Sequence, residues 1–222
     1  MSKNFFYISL PNCTNIDGSN LMGKVRYKSL FIFAGLFLSL NLSAQVFNAG
    51  FGGGLNVSQI EGDGFSGYNK AGPVFGLFVN TFFREFLAGQ IEINYSSKGS
   101  TLKAPIEDPG YYRVDLRYIE IPVLLRYLIP PGIIFEAGLS GGYLFYAKEE
   151  DALGEIPETV AFRKTEFAVI GGIGYILTDN ISLNARISYS GVPIRDHAGG
   201  GQYYFNRGQN NNVISFILQY QI

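Results

Sequence analysis

The stretch YIEIPVLLRY, Tyr118 to Tyr127, sets Ile119, Ile121, Val123, Leu125 and Tyr127 in strict alternation with a second set that includes Glu120, Pro122 and Arg126. A period of two residues is the mark of a strand with two unlike faces. The pattern recurs along the chain, so the fold class is all-β. Eight such segments are predicted, at about Phe47–Ser58, Pro73–Thr81, Phe86–Ser97, Arg113–Leu128, Ile133–Ala147, Lys164–Leu177, Ile181–Val192 and Val213–Ile222. Short connections at Phe82–Glu85, Ile129–Gly132 and Thr178–Asn180 alternate with long ones at Gln59–Gly72, Lys98–Tyr112, Lys148–Arg163 and Pro193–Asn212.

The chemistry of the two faces indicates which one meets which solvent. One carries Phe51, Leu55, Leu77, Ile93, the apolar set of YIEIPVLLRY, Leu139, Val169, Ile187 and Phe216 without a charge among them. The other is small and polar, with Asn48, Gly50, Gly52, Gly54, Asn56, Gln90, Asn94, Ser140, Asn184 and Ser188. A soluble barrel would cover its outer wall with charge, yet only 16% of residues are charged and 47% are hydrophobic. Eight strands close around an interior just wide enough for side chains, so the small face points inward and the bulky apolar face outward into lipid. The expected fold is an eight-stranded antiparallel up-and-down transmembrane β-barrel, with short periplasmic turns and long extracellular loops. Tyr95, Tyr127, Phe145, Phe167, Tyr175, Tyr189 and Tyr220 fall near strand ends, where interfacial aromatic girdles belong.

The N-terminal segment supports the same address. Lys24, Arg26 and Lys28 precede the apolar run Leu30 to Leu42, and small residues follow at Ser43 to Gln45. That order is a secretory signal peptide, since the run falls short of the roughly 20 residues that span a bilayer as a helix. Residues 1–45 are read as leader and signal, with Met22 as a possible start, and residues 46–222 as the barrel domain. The single cysteine, Cys13, lies in the leader, which leaves the mature chain without a thiol for a disulfide, metal or lipid anchor. A net charge of −1 gives no reason to expect nucleic acid.

Three stretches in order, Gly54–Val79 (GLNVSQIEGDGFSGYNKAGPVFGLFV), Ile91–Ser100 (IEINYSSKGS) and Arg117–Tyr127 (RYIEIPVLLRY), resemble the PorT-type outer-membrane β-barrel family of Bacteroidetes. The resemblance covers nearly all of the mature chain. It implies an eight-stranded protein of the cell outer membrane of a Gram-negative bacterium, associated in PorT itself with protein secretion. It implies no catalytic residue.

Other motifs carry less. The run Gly50–Gly54 (GFGGG) lacks the strand–loop–helix setting of a phosphate cradle and continues a strand. The acidic turn Glu61–Gly64 (EGDG) supplies two carboxylates of the 6–8 oxygens a calcium ion takes. His197 with Asp196 and Ser188 or Ser190 evokes an acyl hydrolase or transferase, but adjacency in a Gly-rich loop is not triad geometry. No catalytic, cofactor or metal residue is assigned, and the chain is not expected to be an enzyme.

Two groups of residues are singled out. Strand counting places Glu92, Glu120 and Arg186 at mid-depth in the lumen, and Arg126 beside Glu136 nearer the periplasmic end, as ion-paired groups. In the third long loop, Glu149, Glu150, Asp151, Glu155 and Glu158 form a candidate interaction surface. The expected partners are outer-membrane lipid and lipopolysaccharide, with secretion-machinery or surface proteins at the loops. The barrel is expected to be monomeric. A small channel is the alternative function.

Overall fold

The computed structural model describes residues 47–64, 67–102, 110–156, 160–196 and 208–222. The leader and its signal segment lie outside the described residues. Among the described residues every regular element is a strand. The order is β1 (Phe47–Glu61), β2 (Lys70–Arg84), β3 (Leu87–Thr101), β4 (Tyr112–Ile129), β5 (Ile133–Asp151), β6 (Gly154–Glu155), β7 (Thr165–Thr178), β8 (Ile181–Ser190) and β9 (Asn210–Gln221).

Each long strand pairs antiparallel with its neighbours in sequence, β4 pairs β5, and β1 pairs β9 from Gly50↔Gln221 to Glu61↔Asn210. The result is a closed eight-stranded up-and-down barrel. The two-residue β6 only folds back on the end of β5, through Glu150↔Glu155 and Asp151↔Gly154. Across the bilayer-spanning part of the described strands, closure pairs each one on both sides.

The strands divide their faces as the alternation requires. Phe51, Leu77, Ile93, Ile121, Leu139, Val169, Ile187 and Phe216 stand exposed on the outer wall, whereas Asn56, Gln90, Glu92, Ser140, Asn184 and Arg186 are buried inside. Glycines on the inner face allow the wall to come close to its contents. A Cβ on Gly50 would lie 2.4 Å from the ring of Phe78, which points inward. At Gly54 it would lie 1.8 Å from the Phe216 carbonyl oxygen, so any larger residue would force β1 from β9.

The strands are longer than the alternation indicates. On β4, 18 residues long, the apolar outward set runs from Ile119 to Ile129, which matches the roughly 9–11 tilted residues that cross a bilayer. The segment Tyr112–Tyr118 therefore stands above the lipid as a collar. Lys98, expected at the start of a loop, is a β3 residue inside the barrel and 2% exposed. The period-2 apolar signal fades there because this part of the wall no longer meets lipid.

The collar has a core of its own. Ile60, Val114, Leu116, Tyr118 and Leu144 are buried within it, joined by Phe162 and Ile194 from the β6–β7 and β8–β9 connections. These residues plug the extracellular end of the barrel with an apolar cluster.

Candidate functional site: lumen charges and extracellular rim

Inward positions on β3, β4, β5 and β8 put the lumen charges together, because strands on opposite walls of so narrow a barrel lie within reach of long side chains. Arg186 on β8 is the hub of the lower group. Its guanidinium donates to both Glu92 oxygens, at 2.9 Å and 2.8 Å, and through Nε to Glu136 at 2.6 Å. Glu136 also meets Arg126 Nε at 2.9 Å. Asn94 and Gln219 donate to Glu92 as well, at 2.7 Å and 3.1 Å, and Arg126 donates to Gln90 at 2.6 Å. Two arginines and two glutamates thus form one neutral cluster.

Glu120 belongs elsewhere. It was expected beside Glu92 and Arg186, but it accepts from the Lys98 ammonium at 2.5 Å, and the same ammonium reaches Glu166 on β7 at 2.6 Å. Asn211 donates to the other Glu166 oxygen at 3.1 Å, and Lys98 lies 4.4 Å from the centre of the Tyr118 ring. Neither Lys98 nor Glu166 was singled out in the sequence: Lys98 reads as the start of a loop, and Glu166, inside the expected strand Lys164–Leu177, has no visible partner without it. Parity alone could have placed them: Lys98 extends the inward series Gln90, Glu92, Asn94, Ser96, and Glu166 extends Ala168 and Ile170.

Among the described residues, small spaces lie between these groups. A cavity of about 70 Å³ at the periplasmic end is lined by Asn80, Arg126, Ser182 and Gln219. Others of about 10 Å³ and 30 Å³ lie beside Glu92 and between Lys98 and Arg186. These are volumes for a few waters, each of which needs about 10–15 Å³. A groove of about 510 Å³ lies on the opposite side of the wall, among the lipid-facing Phe83, Gly89, Ile91 and Leu139.

The acidic loop does not form one free surface. Between Arg117 and Tyr118 of β4, the partner on β5 jumps from Tyr146 to Leu144, so Phe145 is the extra residue of a bulge. Above it the parity of β5 inverts. Glu149 turns inward, where Arg195 Nη1 donates to it at 2.5 Å and the Tyr112 hydroxyl also donates. Burial would raise the Glu149 pKa, but the hydrogen bonds from Arg195 and Tyr112 outweigh it and hold the carboxyl below the usual range. Arg195 in turn lies 4.2 Å from the Phe162 ring, tying this clamp to the apolar plug.

Of the remaining loop carboxylates, Glu150 pairs with Lys148 and Glu155 lies 3.9 Å from the same ammonium. Asp151 accepts the Leu153 backbone N–H at 2.8 Å, which fixes the hairpin tip. Glu158 and His197 lie outside the described residues. Asp196 meets Arg163 at 2.8 Å, and the Ser190 hydroxyl accepts from the Asn211 backbone N–H at 2.7 Å. The GFGGG run is part of β1. In EGDG, Glu61 accepts from Asn212 at 2.8 Å and from Tyr189 at 3.1 Å, so it is engaged with neighbouring side chains.

The sequence pattern of the family described as outer membrane protein beta-barrel domain matches residues 43–191. No curated protein matches the chain. Among solved structures, the chain is similar to Ail, the attachment invasion locus protein of Yersinia pestis, with 15% identity, 79% of this chain and 98% of that one covered, and a TM-score of 0.46. It is also similar to Neisserial surface protein A, with 14% identity, coverage of 79% and 97%, and a TM-score of 0.42. A third is a major outer membrane protein from Thermus thermophilus, with 10% identity, coverage of 81% and 100%, and a TM-score of 0.45. The family pattern spans most of the chain, and the barrel's outer wall is apolar to the depth of a bilayer; the chain therefore belongs to the outer membrane protein beta-barrel domain family and resides in the outer membrane.

Proposed function

We propose that the protein is a monomeric, closed-lumen anchor that presents its extracellular connections to a partner in secretion or surface assembly. The observation that carries this reading is the filled interior: two ion-paired groups cross the lumen, and an apolar plug closes the extracellular end. A conducting pore needs a continuous water path, which eight strands filled by side chains do not leave. The resemblance to PorT-type barrels supports the secretion association. No catalytic step is assigned, so His197→Ala should leave the phenotype of the protein unchanged.

The reading changes which loop residues to test. Glu149 supports the plug, so the exchange should spare it and replace only 151–158 with a short Gly/Ser turn. Barrel assembly is checked by heat-modifiable migration, and secretion and surface-protein profiles are compared with wild type, then repeated for the other long connections. If every shortened barrel assembles and secretes like wild type, the loop-partner reading fails. Single-channel recording tests the other side: discrete conductance steps from the wild-type protein would make it a channel.

A further inference from the structure

Above Ile119 the outward face of β4 continues as Arg117, Asp115 and Arg113. Below it lies the top of the aromatic girdle, with Phe75 stacked on Tyr95 at 4.8 Å and Tyr95 at 6.0 Å from Phe145. Tyr95 is the register partner of Ile119, and Ser97 that of Arg117. Two residues of strand rise about 7 Å, so Arg117 is the first cation of β4 above the lipid chains, at headgroup depth, and Arg113 follows four residues, about 13 Å of tilted strand, further out.

Three cations converge there on one atom. Asp115 Oδ2 lies 3.5 Å from Lys70 Nζ, 3.7 Å from Arg117 Nη2 and 3.8 Å from Arg113 Nη2. Of these contacts the Lys70 one is at the outer limit of a hydrogen bond, and both guanidiniums lie beyond it. Among the described residues, these three positive charges share a single carboxylate, a local surplus of two positive charges. The side chain of Lys70, the first residue of β2, is buried, while those of Arg113 and Arg117 are 44% and 40% exposed. Burial holds the Lys70 ammonium below its usual pKa; Asp115 opposes this, and the two guanidiniums add to the lowering.

The bulge at Phe145 completes the arrangement. It turns Tyr146 to the outer wall, where the Arg117 guanidinium lies 4.2 Å from the ring centre. Such stacking fixes the guanidinium plane and leaves its N–H edges for a ligand. The same inversion brings out Lys148, which neutralises Glu150, the acidic register partner of Arg113. Bulges commonly re-aim side chains in this way at barrel rims.

We propose that Arg113 and Arg117, backed by Lys70, bind the phosphate of a phosphorylated glycolipid headgroup of the outer leaflet, whose acyl chains lie against the wall below Ile119. A phosphate offers the paired oxygens that guanidinium forks match. The site lies on the wall and not in the loops, so it stands or falls independently of the loop-partner reading.

The test uses the protein inserted into phosphatidylcholine nanodiscs that contain bisphosphorylated lipid A, or lipid A stripped of both phosphates. Lipid retained through detergent exchange is counted by native mass spectrometry, and assembly is checked by heat-modifiable migration. Wild type should retain the phosphorylated form. Arg113→Gln with Arg117→Gln should reduce retention roughly thirtyfold, to the level of the stripped lipid, at about fivefold per cation. Asp115→Asn removes the competing internal anion and should raise retention, a result that a cluster serving only the fold would not give. Equal retention of the two lipids, or of lipid A by wild type and double variant, overturns the proposal. Displacement of lipid A by inorganic phosphate at equal concentration overturns the lipid as the source. If the double variant does not assemble, Arg113→Gln alone and Asp115→Asn carry the test, because they must move retention in opposite directions.

Discussion

On β4, residues of even number point inward along the whole strand, yet the chemistry of the two faces reverses at Tyr118–Ile119. Below that line the outer wall is Ile121, Val123 and Leu125 and the interior includes Glu120 and Arg126. Above it the interior is Val114, Leu116 and Tyr118 and the outer wall is Arg113, Asp115 and Arg117. The pleat does not change; the surrounding solvent does. Lipid rewards an apolar exterior, and a narrow lumen then has to be filled with whatever remains, paired. In water the usual rule returns, with apolar groups inside and charge outside. One sheet thus contains a membrane protein and a small soluble core stacked end to end.

The sharpest way to break this comparison is at the lumen hub. Arg186→Ala leaves Glu92 and Glu136 buried without their main partner, and removing one side of such a pair typically costs about 3–5 kcal/mol. Reversible urea unfolding in bilayers checks it, and unchanged stability would mean the cluster is not cohesive. Leu116→Ala in the collar should cost about 2–5 kcal/mol, as a cavity in a dry core does. The matched change Leu139→Ala on the lipid face should cost much less, since lipid chains close the gap. Equal costs would erase the distinction between the two regions.

Ile121→Lys asks the same question in reverse. An ammonium near the midplane of the lipid face should cost about 2–4 kcal/mol, whereas the same charge above the line should be tolerated. Acid provides a milder probe of the collar. Glu149 is held ionised by Arg195 and Tyr112, so its folded pKa is depressed. Its contribution is present above the ordinary value of 4.5 and is lost as pH falls through the lower folded value. Protease access to the extracellular connections should therefore increase below that pH while heat-modifiable migration of the barrel persists. The smallest effect belongs to Ser140→Ala, about 0.5 kcal/mol or less. Its buried hydroxyl has no hydrogen-bond partner among the described residues, so little is lost with it.

The lipid-facing half was legible in the sequence because a single physical rule, apolar outward at every second residue, is written into residues such as Ile119, Ile121 and Val123. The collar was not. Ser96 to Ser100 on β3 are all buried without any alternation in polarity, so Lys98 read as the start of a loop. Glu149 looked like its neighbours Glu150 and Asp151, and only the bulge at Phe145 separates them. Bulges leave no signature in residue type here, since Phe145 and Tyr146 both suit either face. The charged partners showed an intermediate case. Arg126 and Glu136 face each other directly across β4 and β5, a relation strand counting can reach, whereas the choice of Glu120 between Arg186 and Lys98 depends on how opposite walls meet across the lumen.

The seam between β1 and β9 also governs how such a molecule can come into being. Gly50 pairs with Gln221 and Leu55 with Phe216, so the ring shuts only when strands remote in sequence find each other. Until then two long edges carry unpaired amides that no hydrocarbon can satisfy. Contacts this distant are slow to form, which makes the open sheet the most hazardous species on the route. A chain with this seam calls for an escort that holds the unfinished edges apart until the last strand arrives. Depleting that escort should strand the protein as protease-sensitive chains before any mutation in its loops is felt.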